Sequence, residues 1–193
     1  MLLPAIETRF ACRNFVSGET PSPQQLAELI EAGRLAPSAF GLEPWRFVVV
    51  TDPAQRAAVA HACFDQPAAA TAAAFIVVVA LVDALDLDSD YVHARFVAEA
   101  RGEDTAPIHE AYRAHRETVD MPTWACGQCN FAAAHILLQA TYLGLGSCPI
   151  GGFDEAALSK TAGLPAGEKP ALVIAMGRCA ETRPQRVRKR RER

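Results

Sequence analysis

Along this chain, stretches with helical spacing of apolar residues alternate with short continuous apolar runs. Ser22-Pro23-Gln24-Gln25 opens the first clear helix, with Ser as N-cap, Pro at the first helical position and Gln as the capping-box partner. Leu26, Leu29 and Ile30 give it one apolar face. It is predicted to run to about Leu35, where Ala36-Pro37-Ser38 stops it, because a proline disfavours helical conformation in the residue before it. Arg46 to Thr51 (RFVVVT) predicts a buried strand, and Asp52-Pro53 caps the next helix. Phe75 to Val82 (FIVVVALV) is continuous and β-branched, the pattern of a central strand covered on both faces. Asp83 to Met121 is polar, with Tyr91, Phe96, Ile108 and Tyr112 as its main apolar residues. It predicts two helices packed loosely on the outside, over a site. Thr123 to Leu143 is a long Ala-rich helix closing at Gly144, whose small residues permit close approach of another helix, in the core or across a dimer. Asp154 caps a short helix to about Ala162, and Pro170 to Met176 is the last predicted strand, ended by Gly177. With no repeat and no linker, the pattern predicts one domain over residues 1–193, with 83–121 as a helical excursion. The fold class is α+β, a small mixed sheet between helical layers.

Composition changes that picture little. Half of the 193 residues are hydrophobic and 21% are charged, as in a globular domain that buries a core without a staple. The longest apolar run, Ala68 to Val82, falls short of the roughly twenty residues that span a bilayer. Glu7 interrupts the N-terminus before a signal-type apolar stretch forms, so a cytoplasmic location with no membrane partner is expected. Charge is informative in its distribution. Arg183 to Arg193 holds seven of the 19 basic residues and one of the 22 acidic ones, leaving a body with a formal charge of −9. A cationic end on an acidic body points to an anionic ligand or an acidic partner surface. No aromatic residue lies in that tail for base stacking, so nucleic acid is not expected as a partner.

The six cysteines, at positions 12, 63, 126, 129, 148 and 179, are expected to be reduced in a chain of this size without a secretory signal. Cys126-Gly-Gln-Cys129 is a single CxxC inside a helical stretch. No second pair stands at zinc-ribbon spacing, which favours structural thiols over a redox pair or a metal site. The five histidines form no HxH or HxxxH pair, and no metal is expected.

Four clusters carry candidate chemistry. Arg9-Phe10-Ala11-Cys12-Arg13 places two arginines four apart after a helical N-terminus; alone, it also reads as two solvated cations. Ala36-Pro37-Ser38-Ala39-Phe40-Gly41-Leu42-Glu43-Pro44-Trp45 is a loop of small residues that a planar ligand can approach, or a turn with a Trp anchor. Gly144 to Asp154 (GLGSCPIGGFD) offers Gly144 and Gly146 as a helix C-cap, then Gly151 and Gly152 as two backbone N–H groups bare of side chains. It is not GxGxxG and follows no predicted strand, which excludes a Rossmann dinucleotide fingerprint. Arg186 and Arg188 alternate around Val187, so both guanidiniums can point one way toward a phosphate, against the alternative of a solvated tail.

Taken in order, these clusters resemble the FMN-dependent nitroreductase family over nearly the whole chain. The resemblance rests on R-x-S-x-R/K-x-F (Arg9 to Phe15), A-P-S-x-x-x-x-Q/E-P-W (Ala36 to Trp45), a Gln on the long helix (Gln128), G-L-G-S-C-P-I-x-G-F-D and a final K/R-x-R. It implies a three-layer α-β-α homodimer with FMN in two interface clefts. Arg9, Arg186 and Arg188 would hold the phosphate. Arg13 would sit at the flavin N1/O2 edge, with Phe10 and Ala11 beside it. Pro37, Ser38, Ala39 and Gly41 would approach from the partner subunit, with Phe40 toward substrate. Gln66 and Gln128 would reach the flavin or its ribityl chain. Pro149 and Ile150 would lead to Gly151 and Gly152, whose N–H groups would face N5 and O4. The implied activity is ping-pong hydride transfer from NADH or NADPH, through FMN, to a small-molecule acceptor such as a nitroaromatic or a quinone. No side chain is assigned as acid or base, because the cofactor supplies the chemistry.

The chain departs from the motif at three places. Ala11 stands for a Ser, Gly151 for a common Glu, and Gly41 for a common amide; these bear on potential and substrate preference more than on FMN binding. The short segment after Arg188 implies a less interlocked dimer than in many relatives. The alternative activities are a flavin-binding protein without turnover on the same fold, and an acidic-partner binder using the tail.

Overall fold

The computed structural model describes residues 2–189. A four-stranded sheet in the order β1-β2-β4-β3 lies between two helical layers. Its strands are β1 (Trp45–Val50), β2 (Ala74–Leu81), β3 (Gly146–Ile150) and β4 (Glu168–Gly177). All three strand pairings are antiparallel. The expected mixed character is confined to one parallel bridge, between Ala11 and Ser147, through which the N-terminal segment joins the edge of β3.

β2 divides the interior in two. Its residues are buried along all but the last position. Alternate side chains point to opposite faces of a strand. Ala74, Ile76, Val78 and Ala80 therefore enter one core with Leu29, Ala132 and Ile136. Phe75, Val77 and Val79 enter the other with Val59, Ala68 and Leu158. The first core lies under α2 (Pro23–Arg34), α5 (Asp90–Ala100), α6 (Ala106–Arg116) and α7 (Met121–Tyr142). The second lies under α3 (Pro53–Ala62), α4 (Pro67–Thr71) and α8 (Glu155–Thr161).

Local chemistry sets the helix limits. The Ser22 hydroxyl accepts from Gln25 N at 3.2 Å while Gln25 Oε1 accepts from Ser22 N at 2.9 Å, the reciprocal capping box. Asp52 Oδ1 accepts from Ala54 N and Gln55 N, and Asp154 Oδ1 accepts from Ala157 N. α7 ends in a Schellman motif. Gly144, at φ 74°, donates to Thr141 O, and Leu145 donates to Ala140 O. Gly146 is not part of that cap; it begins β3. The pattern leaves β3 unpredicted because it is short and contains Pro149. An edge strand tolerates a residue without an N–H, and β3 is such an edge.

The helical excursion is not loosely packed. Val92, Phe96 and Tyr112 are fully buried in the first core. The Tyr112 hydroxyl donates to Leu85 O at 2.7 Å, and Phe96 packs edge-on against both Tyr112 and His109. A short first helix, α1 (Pro4–Thr8), precedes the arginine segment and packs on α7. Among the described residues, no helix is long and apolar enough to cross a membrane.

Two substitutions test this packing by urea denaturation. Phe96→Ala is expected to cost about 3–5 kcal/mol, the range for emptying a buried aromatic site. A loss under 1 kcal/mol would show that α5 is peripheral. Gly33→Ala is expected to cost about 1–3 kcal/mol by overpacking, because a Cβ there would stand 2.7 Å from Phe47 Cζ and 2.9 Å from Ile136 Cδ1.

Candidate functional site

The N- and C-terminal segments meet beside β3. Arg9, Phe10, Ala11, Arg13, Arg183, Arg186 and Arg188 line a cleft of about 300 Å³ whose wall, among the described residues, contains five arginines and no carboxylate. Arg9 is half-buried there. Burial, and then the charges of Arg186 and Arg188, push its guanidinium below the ordinary arginine pKa. Like charges gathered without a counter-charge form a ready anion site. The C-terminal segment is held by Arg183 donating to Glu7 O, and by Arg186 donating to Ile6 O and Arg9 O. Arg188 donates to the carbonyl of Val187. Arg190, Arg191 and Arg193 lie outside the described residues.

β3 delivers the second part of the site. The Ala11–Ser147 bridge and the bond from Cys12 N to Ser147 O place the arginine segment along this strand. The chain then leaves through exposed Pro149 and buried Ile150 into Gly151 and Gly152. Nothing lies within 4 Å of a Cβ built on Gly151, and only Gln66 Nε2, at 3.7 Å, approaches one on Gly152. Neither glycine N–H finds an acceptor among the described residues. Gln66 is brought to this loop, where its amide donates to Gly152 O at 2.8 Å and to Cys63 O at 2.9 Å. Its Nε2 thus positions the glycine backbone.

Pro37, Ser38, Ala39, Phe40 and Gly41 are elsewhere. Phe40 packs in the first core, whereas Phe10 and Ala11 pack against the second. Among the described residues no hydrogen bond or ion pair joins the loop to the arginine cleft. Ala39 to Gly41 form a 3₁₀ turn with Phe40 at φ 58° and Gly41 at φ 62°. Gly41 has a steric reason: a Cβ would meet Glu99 Oε2 at 2.6 Å. The loop is clamped from several sides. The Ser38 hydroxyl accepts from Glu43 N, Arg95 donates to Gly41 O and to the Glu43 carboxylate, and the Tyr91 hydroxyl donates to Leu42 O. Gln128 Oε1 accepts from Ala39 N at 2.9 Å, so this carbonyl holds the loop. Phe40 stacks near Tyr112 and His115, and His115 near Trp124.

The cysteines depart from expectation. Cys12 and Cys179 form a disulfide, with Cα atoms 5.9 Å apart and 167 residues between them in sequence. The expectation of fully reduced thiols followed from compartment and size. The antiparallel pairing of residues near Phe15 with those near Cys179 is what brings these two sulfurs together. Cys126 and Cys129 are both free, and burial pushes both thiols up, Cys129 to about 12, so neither is a ready thiolate. Cys148 is raised by burial while Arg13 and Arg9 pull it down. Cys12, Cys179 and Glu181 group their ligand-type atoms within 4.8 Å. The two sulfurs are bonded to each other, and the Glu181 carboxylate accepts from Arg13 N and Asn14 Nδ2.

Sequence reasoning passed over Arg183, Glu181 and the cystine. The density of basic residues after position 182 was the available signal for Arg183. Nothing in the spacing of Cys12, Asn14, Cys179 and Glu181 announces their contact.

Comparison with known proteins identifies the family and the fold. A model of the nitroreductase family matches residues 6–178. The chain is 36% identical over 163 residues to an NADH dehydrogenase of Thermus thermophilus, covering 83% of this chain and 79% of that one. It is 28% identical over 190 residues to an oxygen-insensitive NADPH nitroreductase of Helicobacter acinonychis, covering 95% and 90%. A nitroreductase-like protein of Streptococcus mutans superposes with a TM-score of 0.84 at 21% identity, over 96% of this chain and 92% of that one. A nitroreductase-type protein of Exiguobacterium sibiricum, crystallised in complex with FMN, superposes with a TM-score of 0.79 at 21% identity, over 96% and 91%. The match over most of the chain, and the fold it shares, place this protein in the nitroreductase family.

Proposed function

We propose that the protein is an FMN-dependent oxidoreductase, drawing on NADH or NADPH and acting as a homodimer. The observation that carries this reading is a cleft with five arginines and, among the described residues, no carboxylate, bridged through Ala11 to the strand that leads into Gly151 and Gly152. A phosphate in the cleft would relieve the repulsion among Arg9, Arg186 and Arg188, with arginine forks supplying charge-assisted bonds. The Gly151 and Gly152 N–H groups would donate to a heterocycle edge, and Gln66 would hold that backbone in place. Arg13 would lie at the opposite N1/O2 edge, where a cation favours an electron-rich ring. Bound there, FMN would supply two-electron transfer between the nicotinamide donor and a small acceptor such as a nitroaromatic or quinone. The family names of the Thermus and Helicobacter relatives, and the FMN complex of the Exiguobacterium protein, support the same reading.

The separated loop supports the homodimer reading. Residues 37–41 are not among the residues lining the cleft of their own chain, so the loop of a partner would complete the site. α7 supports this arrangement. Beyond its buried face it exposes Phe131 and Tyr142, and with α1 it frames an apolar groove of about 630 Å³ that includes Leu3, Pro4, Leu138 and Tyr142. A helix apolar on all sides is one that is covered in the working assembly.

An anaerobic absorbance spectrum tests the function directly. The purified protein should be yellow, release FMN on denaturation, and bleach on addition of NADH or NADPH. A coloured protein that neither nucleotide bleaches would indicate flavin binding without turnover. The double change Arg186→Ala and Arg188→Ala should weaken FMN about tenfold to a hundredfold, the worth of one or two charge-assisted bonds. Riboflavin, lacking the phosphate, should lose little; equal loss of both ligands would remove these arginines from the phosphate site. Leu138→Arg in the apolar groove should give a monomer in sedimentation and weaken FMN together. A variant that stays dimeric with unchanged affinity would place the interface elsewhere.

A further inference from the structure

We infer that the Cys12–Cys179 disulfide is a thiol–disulfide exchange site, and that its redox state governs how firmly the arginine-bearing C-terminal segment is held to the cleft. The part concerning cofactor retention rests on the FMN reading above.

The bond joins the two halves of the cationic cleft. Cys12 lies between Arg9 and Arg13, and Cys179 begins the segment that carries Arg183, Arg186 and Arg188. Beyond Cys179 that segment has no regular secondary structure, and residues 182–189 are all exposed. Val187, its one large apolar side chain among the described residues, is 84% exposed, so nothing apolar anchors it. Its remaining attachments are polar. Val16 N donates to Arg178 O, Ala180 N donates to Asn14 O, and Glu181 accepts from Arg13 N and Asn14 Nδ2. Arg183 and Arg186 donate to carbonyls of the N-terminal segment. Water competes for exposed bonds of this kind, and the repulsion between Arg9 and the pair Arg186 and Arg188 works against them. The covalent link is the one attachment that neither effect weakens.

The surroundings are shaped for the cystine. It rests on Gly146, where a Cβ would stand 2.7 Å from Cys179 Cβ and 3.1 Å from Cys12 Cβ, so only glycine admits it. Its two residues differ in exposure: Cys12 is fully buried and Cys179 half-buried. Attack by an external thiolate is therefore directed to Cys179, the less buried partner. The co-reactant is a dithiol. Its first thiolate forms a mixed disulfide with Cys179 and releases Cys12 as the thiolate. Its second thiol closes the reductant's own disulfide and releases Cys179. Two electrons pass from the dithiol to the cystine, and the dithiol's two protons end on Cys12 and Cys179. By linkage, a change in FMN affinity between the two states must equal the change that FMN makes in the reduction equilibrium.

The test compares wild-type protein, oxidised and dithiothreitol-reduced, with Cys179→Ser, which replaces the less buried partner. Alkylation after denaturation should label four cysteines in the oxidised chain and all six in the reduced one. Hydrogen–deuterium exchange, without cofactor, should quicken at least about tenfold on reduction at the bonded amides of Cys12, Arg13, Val16 and Ala180. FMN titrated against the same samples should bind at least about tenfold more weakly to reduced protein and to Cys179→Ser, with the oxidised midpoint shifting reciprocally when FMN is present. Six labelled cysteines in the oxidised protein, or equal exchange in both states, overturns the proposal. Redox-dependent exchange in a protein that binds no FMN in either state would sink the flavin reading while sustaining the exchange site. FMN binding that is equal in both states would remove the link to the cofactor.

Discussion

The double burial of β2 is the constraint on which the rest of the structure depends. A strand with apolar residues at consecutive positions has no face to give to water, so helical layers must cover both sides. Ile76 and Val78 call for α2 and α7, and Phe75 and Val77 call for α3, α4 and α8. Once those layers are in place, β1 and β4 have fixed registers on β2, and β3 is added at the open edge of β4. The candidate site is built at that edge. β3 offers its unpaired side to the N-terminal segment through Ala11 and Cys12, and its exit presents Gly151 and Gly152.

The site's charge follows from this arrangement rather than from the composition of the body. The body is acidic, yet the cleft gathers arginines from the two ends of the chain, because the ends run side by side past β3. The Glu181 carboxylate accepts from Arg13 N and Asn14 Nδ2, bonds that, together with the Arg13 charge, hold its pKa below the ordinary carboxylate value. Among the described residues that line the cleft, positive charge prevails, of the kind a phosphate satisfies.

The loop of residues 37–41 obeys a different logic. Its polar groups are spent on its own chain: Ser38 on Glu43, Ala39 on Gln128, Gly41 on Arg95. That pre-set conformation, with Phe40 and Gly41 at positive φ, makes a pre-ordered element. The excursion of α5 and α6 acts as its buttress. Arg95 and Tyr91 hold the loop from outside while Phe96 and Tyr112 root both helices in the core.

By itself the sequence determined the elements whose cause is local. The capping box of Ser22 and Gln25, the caps of Asp52 and Asp154, the helix stop at Gly144 and the two apolar runs that became β2 and β4 each depend on residues within one turn or one strand. The order of its motifs also carried the family. Tertiary structure alone decided the rest. β3 escaped prediction because an edge strand carrying Pro149 has no local signature, and Gly146 because its small size answers a cystine from two distant segments. Gln66 and Gln128, both assigned to the cofactor on motif position, also bond within their own chain to Gly152 and Ala39, partners more than eighty residues away that no local pattern announces. The pairing of Cys12 with Cys179 is the extreme case. No pattern along a chain encodes a contact across 167 residues; it arises only when both ends are laid against the same strand.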